Sequence, residues 1–352
     1  MTIQDLLAAI AVVINGLPQG LLALTFGFAA FPTALGFSVG ALGMLLFGQV
    51  APISFQAESI VLAGTLGKDR NERLNIVFFT GIVMSMVGAI GLLQPTIQFI
   101  GPSILNGMMA GVGILLAKVG IDMTKDNKLA GGISMLIAIL TYSFTKDLVY
   151  TIVISVFASS AIWLISNKNK NINKDKEENL EFEKLKPLKF NLNYNVIRST
   201  LAMITLQIGG NIAYASITGS LANKPINVDL VTLYSGIGDA VSSYFGGGPV
   251  EAIISGTAVA PNPLISGVLM VGIMAIILFA RLLPKIAKYV PNQSIAGFLF
   301  VLGAIVVFPD NMGIALESTP VVGGVTAIVT AVTDPFVGMI SGLVVRYLLG
   351  GI

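Results

Sequence analysis

The sequence predicts an all-α polytopic membrane protein: about fourteen transmembrane segments in a seven-plus-seven inverted repeat, with the third and tenth helices broken. Three observations predict it. The 352 residues are 55% hydrophobic and only 11% charged, against about 25% charged in an ordinary soluble domain, and the mean hydropathy is +0.87. Apolar runs of about 20 residues recur, whereas ten-residue strand alternation does not, so the spans are helices and not barrel strands. One long polar stretch, residues 167–191, separates two halves, 1–166 and 192–352, that each read as seven segments.

With turn residues and charges taken as breaks, the first half gives segments at 4–30, 32–48, 51–66, 74–98, 103–120, 128–145 and 148–166. The second gives 194–219, 229–245, 249–260, 262–285, 293–309, 318–333 and 335–350. Met1–Leu6 lacks the cationic region of a signal peptide, so the first segment is expected to be retained. Seven full spans would fill about 140 of roughly 160 residues in each half, so some must be incomplete. The third and tenth are the short ones. Gly48 and Pro52 flank the third, and Gly246-Gly247-Gly248-Pro249 and Pro261 flank the tenth.

An internal repeat supports the division. Glu58–Thr65 (ESIVLAGT) is similar to Glu251–Thr257 (EAIISGT) with one gap, which makes Glu58 and Glu251 repeat mates. Gly107 and Gly113 are matched in spacing by Gly297 and Gly303, and Asp147 heads the seventh segment as Asp334 heads the fourteenth. An odd number of spans per half inverts the second half relative to the first, and short interrupted segments in corresponding positions point to a midplane site. Core and gate domains are then each expected to draw on both repeats.

Charge placement agrees with the parity of this assignment. Of 20 Lys and Arg, all but Lys146, Lys224 and Arg346 fall at loops after odd-numbered segments; taken literally the charge rule puts the 167–191 linker on the cytoplasmic side and both termini outside, which supports the parity and leaves the absolute orientation open. Its Lys/Glu mixture reads as a solvated loop. Formal charge is +2 and gives no field for nucleic acid. With no Cys and no His, disulfides, Cys/His metal sites and imidazole chemistry are excluded, and neither a metal nor a cofactor is expected. Gly246-Gly247-Gly248 is followed by no Lys-Ser/Thr, so it reads as close backbone approach and not a phosphate loop.

Intramembrane acids are costly and therefore functional candidates. Glu251 is the first choice for proton coupling; as a helical residue it would share a face with Ser255, four positions on. Glu58 could face the same cavity from the other half, beside Ser54, and Asp239 is a third candidate proton carrier. Against these stand ordinary readings: a helix-start acid for Glu251, a structural hydrogen bond for Glu58, an interface position for Asp239. Gln207 and Asn211, at i and i+4, put two amides on one face of the eighth segment, suited to a planar heterocycle or a carboxylate. Ser255 and Thr257 add hydroxyls, and a half-helix starting near Pro249 would aim free N–H groups at a substrate. Tyr244-Phe245 is the one aromatic pair considered for stacking on a base.

Gly236–Pro249 (GIGDAVSSYFGGGP) and Gly101–Gly113 (GPSILNGMMAGVG) resemble the ninth and fifth helices of the nucleobase/ascorbate transporter family, which includes bacterial uracil and xanthine permeases. The resemblance implies a core domain that binds substrate and a gate domain that moves against it. It also implies two glutamates on the eighth and tenth helices; Gln207 and Ser255 stand at those places, so both carboxylates are missing. The expectation is a secondary active transporter in the plasma membrane, moving a nucleobase such as xanthine or uracil with protons by alternating access. It is expected not to be an enzyme, and a homodimer is an admissible assembly. The alternatives are an anion transporter of the same architecture, which a neutral Gln207 favours, or a non-transporting sensor or phosphotransferase membrane component.

Overall fold

The computed structural model describes residues 1–166, 183–317 and 319–350. The first half contains α1 (Ile3–Thr25), α2 (Ala30–Phe47), β1 (Ile53–Ser54), α3 (Ala57–Leu66), α4 (Arg70–Ala89), α5 (Leu93–Ile100), α6 (Pro102–Asp126), α7 (Lys128–Thr145) and α8 (Leu148–Ser166). The second contains α9 (Tyr194–Leu221), α10 (Val228–Tyr244), β2 (Glu251–Ala252), a 3-10 turn (Gly256–Val259), α11 (Pro263–Phe279) and α12 (Leu282–Ala287). A composite span, Asn292–Glu317, follows, built from a 3-10 turn, α13 (Ala296–Phe300), a π-helical stretch (Val301–Val307) and α14 (Phe308–Glu317). The chain ends with α15 (Pro320–Val332) and α16 (Pro335–Leu348).

Eight of these helices are long and apolar enough to cross a membrane, and four shorter ones are also apolar. With α10 and the non-helical tenth segment they supply the fourteen expected spans of a multi-pass membrane protein. Segment boundaries differ where charges are structural. The charged run Asp69–Arg73 reads as a loop, yet α4 starts at Arg70, because Asp69 accepts from Glu72 N (2.8 Å) and Glu72 accepts from Lys68 N (3.0 Å). The expected 74–98 span divides at Gly91, φ +70°, into α4 and α5. The expected 262–285 span divides at Arg281, φ +52°.

Two compact units emerge, Met1–Gln94 with Asn171–Lys288 and Pro95–Lys170 with Tyr289–Ile352. In the first, α4 and α2 pack on α10, and α11 packs on α1 and α2. At its centre β1 and β2 pair antiparallel, Ile53 opposite Ala252 and Ser54 opposite Glu251, with all four residues buried. Each strand comes from a different repeat. The pairing satisfies backbone groups that the two broken spans would otherwise leave bare in a nonpolar setting.

In the second unit α6 packs on α15 and on the composite span. One repeat-matched pair of glycines meets there: a Cβ on Gly113 would stand 2.8 Å from Gly303 O, and one on Gly303 would strike Gly113 O in return. The repeat-matched aspartates also act alike. Asp147 accepts from Val149 N (2.6 Å) and Asp334 from Val337 N (2.9 Å), each capping its half's last helix. Residues 167–182 of the expected linker, most of its length, lie outside the described residues.

Candidate functional site

The site forms where β2, α9 and α10 meet inside the first unit. The Gln207 amide nitrogen on α9 donates to Asp239 Oδ2 of α10 (2.8 Å) and to Glu251 Oε1 of β2. Asp239 Oδ1 accepts from Val250 N (2.6 Å), which ties α10 to the start of β2, and Ser235 Oγ lies 3.4 Å from Glu251 Oε2. Gln207, Asp239 and Glu251 are all buried. Two carboxylates thus share one amide nitrogen. Neither they nor Glu58 has a lysine or arginine as hydrogen-bond partner among the described residues.

Orphaned polar atoms surround this contact. With Nε2 committed to carboxylates, Gln207 Oε1 is buried without a partner. One turn along α9, Asn211 is buried with both Oδ1 and Nδ2 unpartnered, and Ser54 Oγ, on the strand facing Glu251, is unpartnered as well. α1 passes close by, since a Cβ on Gly16 would lie 3.1 Å from Ser54 Oγ. Buried orphans of this kind cost about 1–3 kcal/mol each, so each calls for a partner such as a water, an ion or a substrate.

Glu58 opens the first turn of α3 and accepts from Tyr214 OH (3.2 Å), two turns beyond Gln207 on α9. Gln56, the residue before α3, donates to Ala252 O (3.2 Å) and accepts from Ser59 Oγ (2.9 Å), linking the third segment to β2. Gln19 of α1 accepts from Ala57 N (3.0 Å). Ser255 and Thr257 do not join Gln207. They hydrogen-bond each other (2.7 Å), Ser255 caps the 3-10 turn, and Ser255 N donates to Thr218 Oγ1 (3.3 Å).

Several expectations are corrected here. No half-helix starts near Pro249: Glu251 lies in a strand, so it and Ser255 do not share a helix face. Pro261 holds Ala260 extended, φ −70° and ψ 156°, which ends the 3-10 turn at Val259. Glu58 and Glu251 do not share a setting: Glu58 lies in the first turn of α3, whereas Glu251 lies in β2 opposite Ser54. Tyr244 and Phe245 pack edge to face at 4.9 Å, and Tyr244 joins Phe78 and Phe190, so the pair belongs to a packing cluster. Sequence reasoning missed Gln56, Tyr214 and Ser235, for which no local motif gave a signal.

No protein-family model and no curated protein sequence matches the chain. Solved structures do. The transmembrane domain of BicA, a cyanobacterial bicarbonate transporter, superposes with a TM-score of 0.69 at 14% identity, covering 97% of each chain. SLC26A9 gives 0.67 at 13% identity over 99% of this chain and 65% of its own. Murine solute carrier 26 family member A9, an anion transporter in its inward-facing state, gives 0.63 at 14% identity over 99% and 67%. This chain therefore spans about two thirds of the length of those two larger relatives. The likeness establishes the inverted-repeat transporter fold. It also overturns the resemblance to the nucleobase/ascorbate transporter family: the neighbours are anion and bicarbonate transporters, and the glycine-rich stretches at Gly101–Gly113 and Gly236–Pro249 reported a fold that both families share.

Proposed function

We propose that this chain is a secondary active transporter of a small oxyanion, moved with a neutralising cation by alternating access of the unit that carries the Gln207–Glu251 site. The observation that carries the reading is the set of buried, unpartnered polar atoms around two carboxylates that share one amide. Ser54 Oγ and Asn211 Nδ2 are donors suited to an anion. Gln207 Oε1 and Asn211 Oδ1 are acceptors, which a halide leaves empty and an oxyanion that keeps a hydrogen fills. The anion-transporting neighbours favour the same class.

An anion cannot enter beside Glu251 and Asp239 without compensation, since like charges in a low dielectric repel strongly. Coupling follows from that requirement. A proton on the Glu251–Asp239 pair, or a small cation held between them, neutralises the site as the anion binds. Gln207, Asn211 and Ser54 read the substrate, and Glu58, held by Tyr214, borders the site from α3.

Uptake of radiolabelled bicarbonate, formate, sulfate and chloride into proteoliposomes, with and without inward proton or sodium gradients, tests the proposal. Gradient-stimulated uptake of bicarbonate is expected, with chloride, and formate, whose only hydrogen is on carbon, poorly carried. Uptake of none of the anions would end the reading; chloride carried as well as bicarbonate would remove the hydrogen-bearing class.

A further inference from the structure

The end of the linker, expected to be solvated, is instead sewn to the unit that carries the site. Leu188 N donates to Tyr244 O (2.7 Å), Asn75 of α4 bonds both Asn191 N (3.0 Å) and Lys189 O (3.0 Å), and Asn193 donates to Glu72 (2.7 Å). Phe190 sits 5.3 Å from Phe78. Glu183 is 1% exposed. Its two oxygens accept from Ala30 N (2.8 Å) and Phe31 N (2.7 Å), the first residues of α2, and so satisfy two amides that a helix start leaves free. The charged groups that face it are Arg70 of α4 and Arg281 after α11, whose guanidinium lies 4.8 Å over the Phe31 ring.

The start of α2 in turn holds the turn that leads to the site. Ala29 N donates to Gly246 O (3.0 Å), and Thr33 Oγ1 donates to Ala29 O (2.6 Å) while accepting from Gly248 N (2.8 Å). Two residues further on, Val250 N donates to Asp239, the partner of Gln207, and Glu251 follows. Hydrogen bonds joined by one or two residues of backbone therefore link the linker carboxylate to the buried pair.

We propose that Glu183 is a positioning residue for this site: seated on α2, it holds the Gly246–Gly248 turn, and with it β2 and Glu251, in place. For its transport readout the proposal rests on the oxyanion reading; for its structural readout it does not. Burial pushes the Glu183 carboxyl above the ordinary carboxylate range, against the pull of the two amides and two arginines. A seated Glu183 therefore binds its proton more tightly than a solvated one, so lowering the pH favours seating, and raising the pH through the elevated pKa weakens it.

Hydrogen exchange on the full chain in nanodiscs, followed over residues 28–33 and 246–252, tests the coupling. Glu183→Ala should speed exchange about tenfold, the effect of losing a charge-assisted bond, in both stretches. Glu183→Gln, which keeps an acceptor, should change both less. In the wild type, exchange over 28–33, corrected for its intrinsic pH dependence, should rise with pH, and in Glu183→Gln it should be flat. Bicarbonate uptake should show a higher KM in Glu183→Ala that Glu183→Gln partly restores. Faster exchange confined to 28–33, with 246–252 unchanged, overturns the proposal, and where Glu183→Ala does not fold, the wild-type pH series and Glu183→Gln decide it. Absence of bicarbonate uptake in the wild type strikes the transport reading, and the exchange data still judge the positioning role.

Discussion

The third and tenth segments come from corresponding places in the two repeats, pair through one two-residue ladder, and then diverge. After β1 the chain builds ten residues of helix, Ala57–Leu66; after β2 it manages a four-residue 3-10 turn, Gly256–Val259. The run AESIVLAGTL holds mostly tolerable helix formers and no proline. The run GTAVAPNP places Gly256, β-branched Thr257 and Val259, and two prolines within eight residues. The difference assigns their acids different work. Glu58 sits on a finished helix with a tyrosine partner, whereas Glu251 sits on a two-residue strand beside a second carboxylate and is held by Gln207.

The largest effect should come from breaking that asymmetry at Glu251. Glu251→Ala removes a charged partner of Gln207, and a charged hydrogen bond of about 1.5–3 kcal/mol corresponds to a loss of roughly 10–100-fold in uptake, measured in proteoliposomes. Glu251→Gln should abolish gradient stimulation and leave exchange, whereas Glu58→Gln, replacing an acid with one tyrosine contact, should keep both; equal loss in the two variants would erase the distinction. Next in size are the glycine leads. In Gly247→Ala the new Cβ meets Thr33 N at 2.6 Å, so thermal unfolding should show a loss of about 1–3 kcal/mol. Gly48, at φ +61°, has nothing within 4 Å of such a Cβ, so Gly48→Ala should cost only about 1 kcal/mol of backbone strain. Gln56→Ala, cutting the link from α3 to Ala252 O, should cost about 1 kcal/mol. The smallest change is Ser255→Ala, about 0.5–1 kcal/mol from a lost cap, with the KM for uptake unaltered; a raised KM would bring Ser255 back into the site.

The fourteen spans, the broken third and tenth segments and the helix-capping aspartates were legible in the sequence, because apolar run length, Gly/Pro punctuation and capping chemistry act locally. Asp239 and Glu251 were candidates on the cost of an intramembrane acid, Gln207 and Asn211 on their i, i+4 spacing and Ser54 as a neighbour of Glu58, and the fold brings them together. What local reasoning could not supply was register. The similarity of Glu58–Thr65 to Glu251–Thr257 aligned two acids but not their settings, since Glu58 lies in a helix while Glu251 lies in a strand whose backbone partners put it opposite Ser54. The polar linker misled for the same reason. Glu183 looks solvated by its neighbours in sequence, and only tertiary contact with Ala30 and Phe31 buries it. The family resemblance failed where glycine patterning reports helix approach, a property of the fold, and says nothing of the ligand.

The contact of Gly113 with Gly303 bears on the history of the chain. A side chain added to either would strike the other's backbone, so each position is bound to glycine whatever residue its twin carries. Most positions of a duplicated gene are free to part company once their surroundings differ. Where the two halves press backbone against backbone, the place demands glycine of each, and there the repeat stays readable in the sequence.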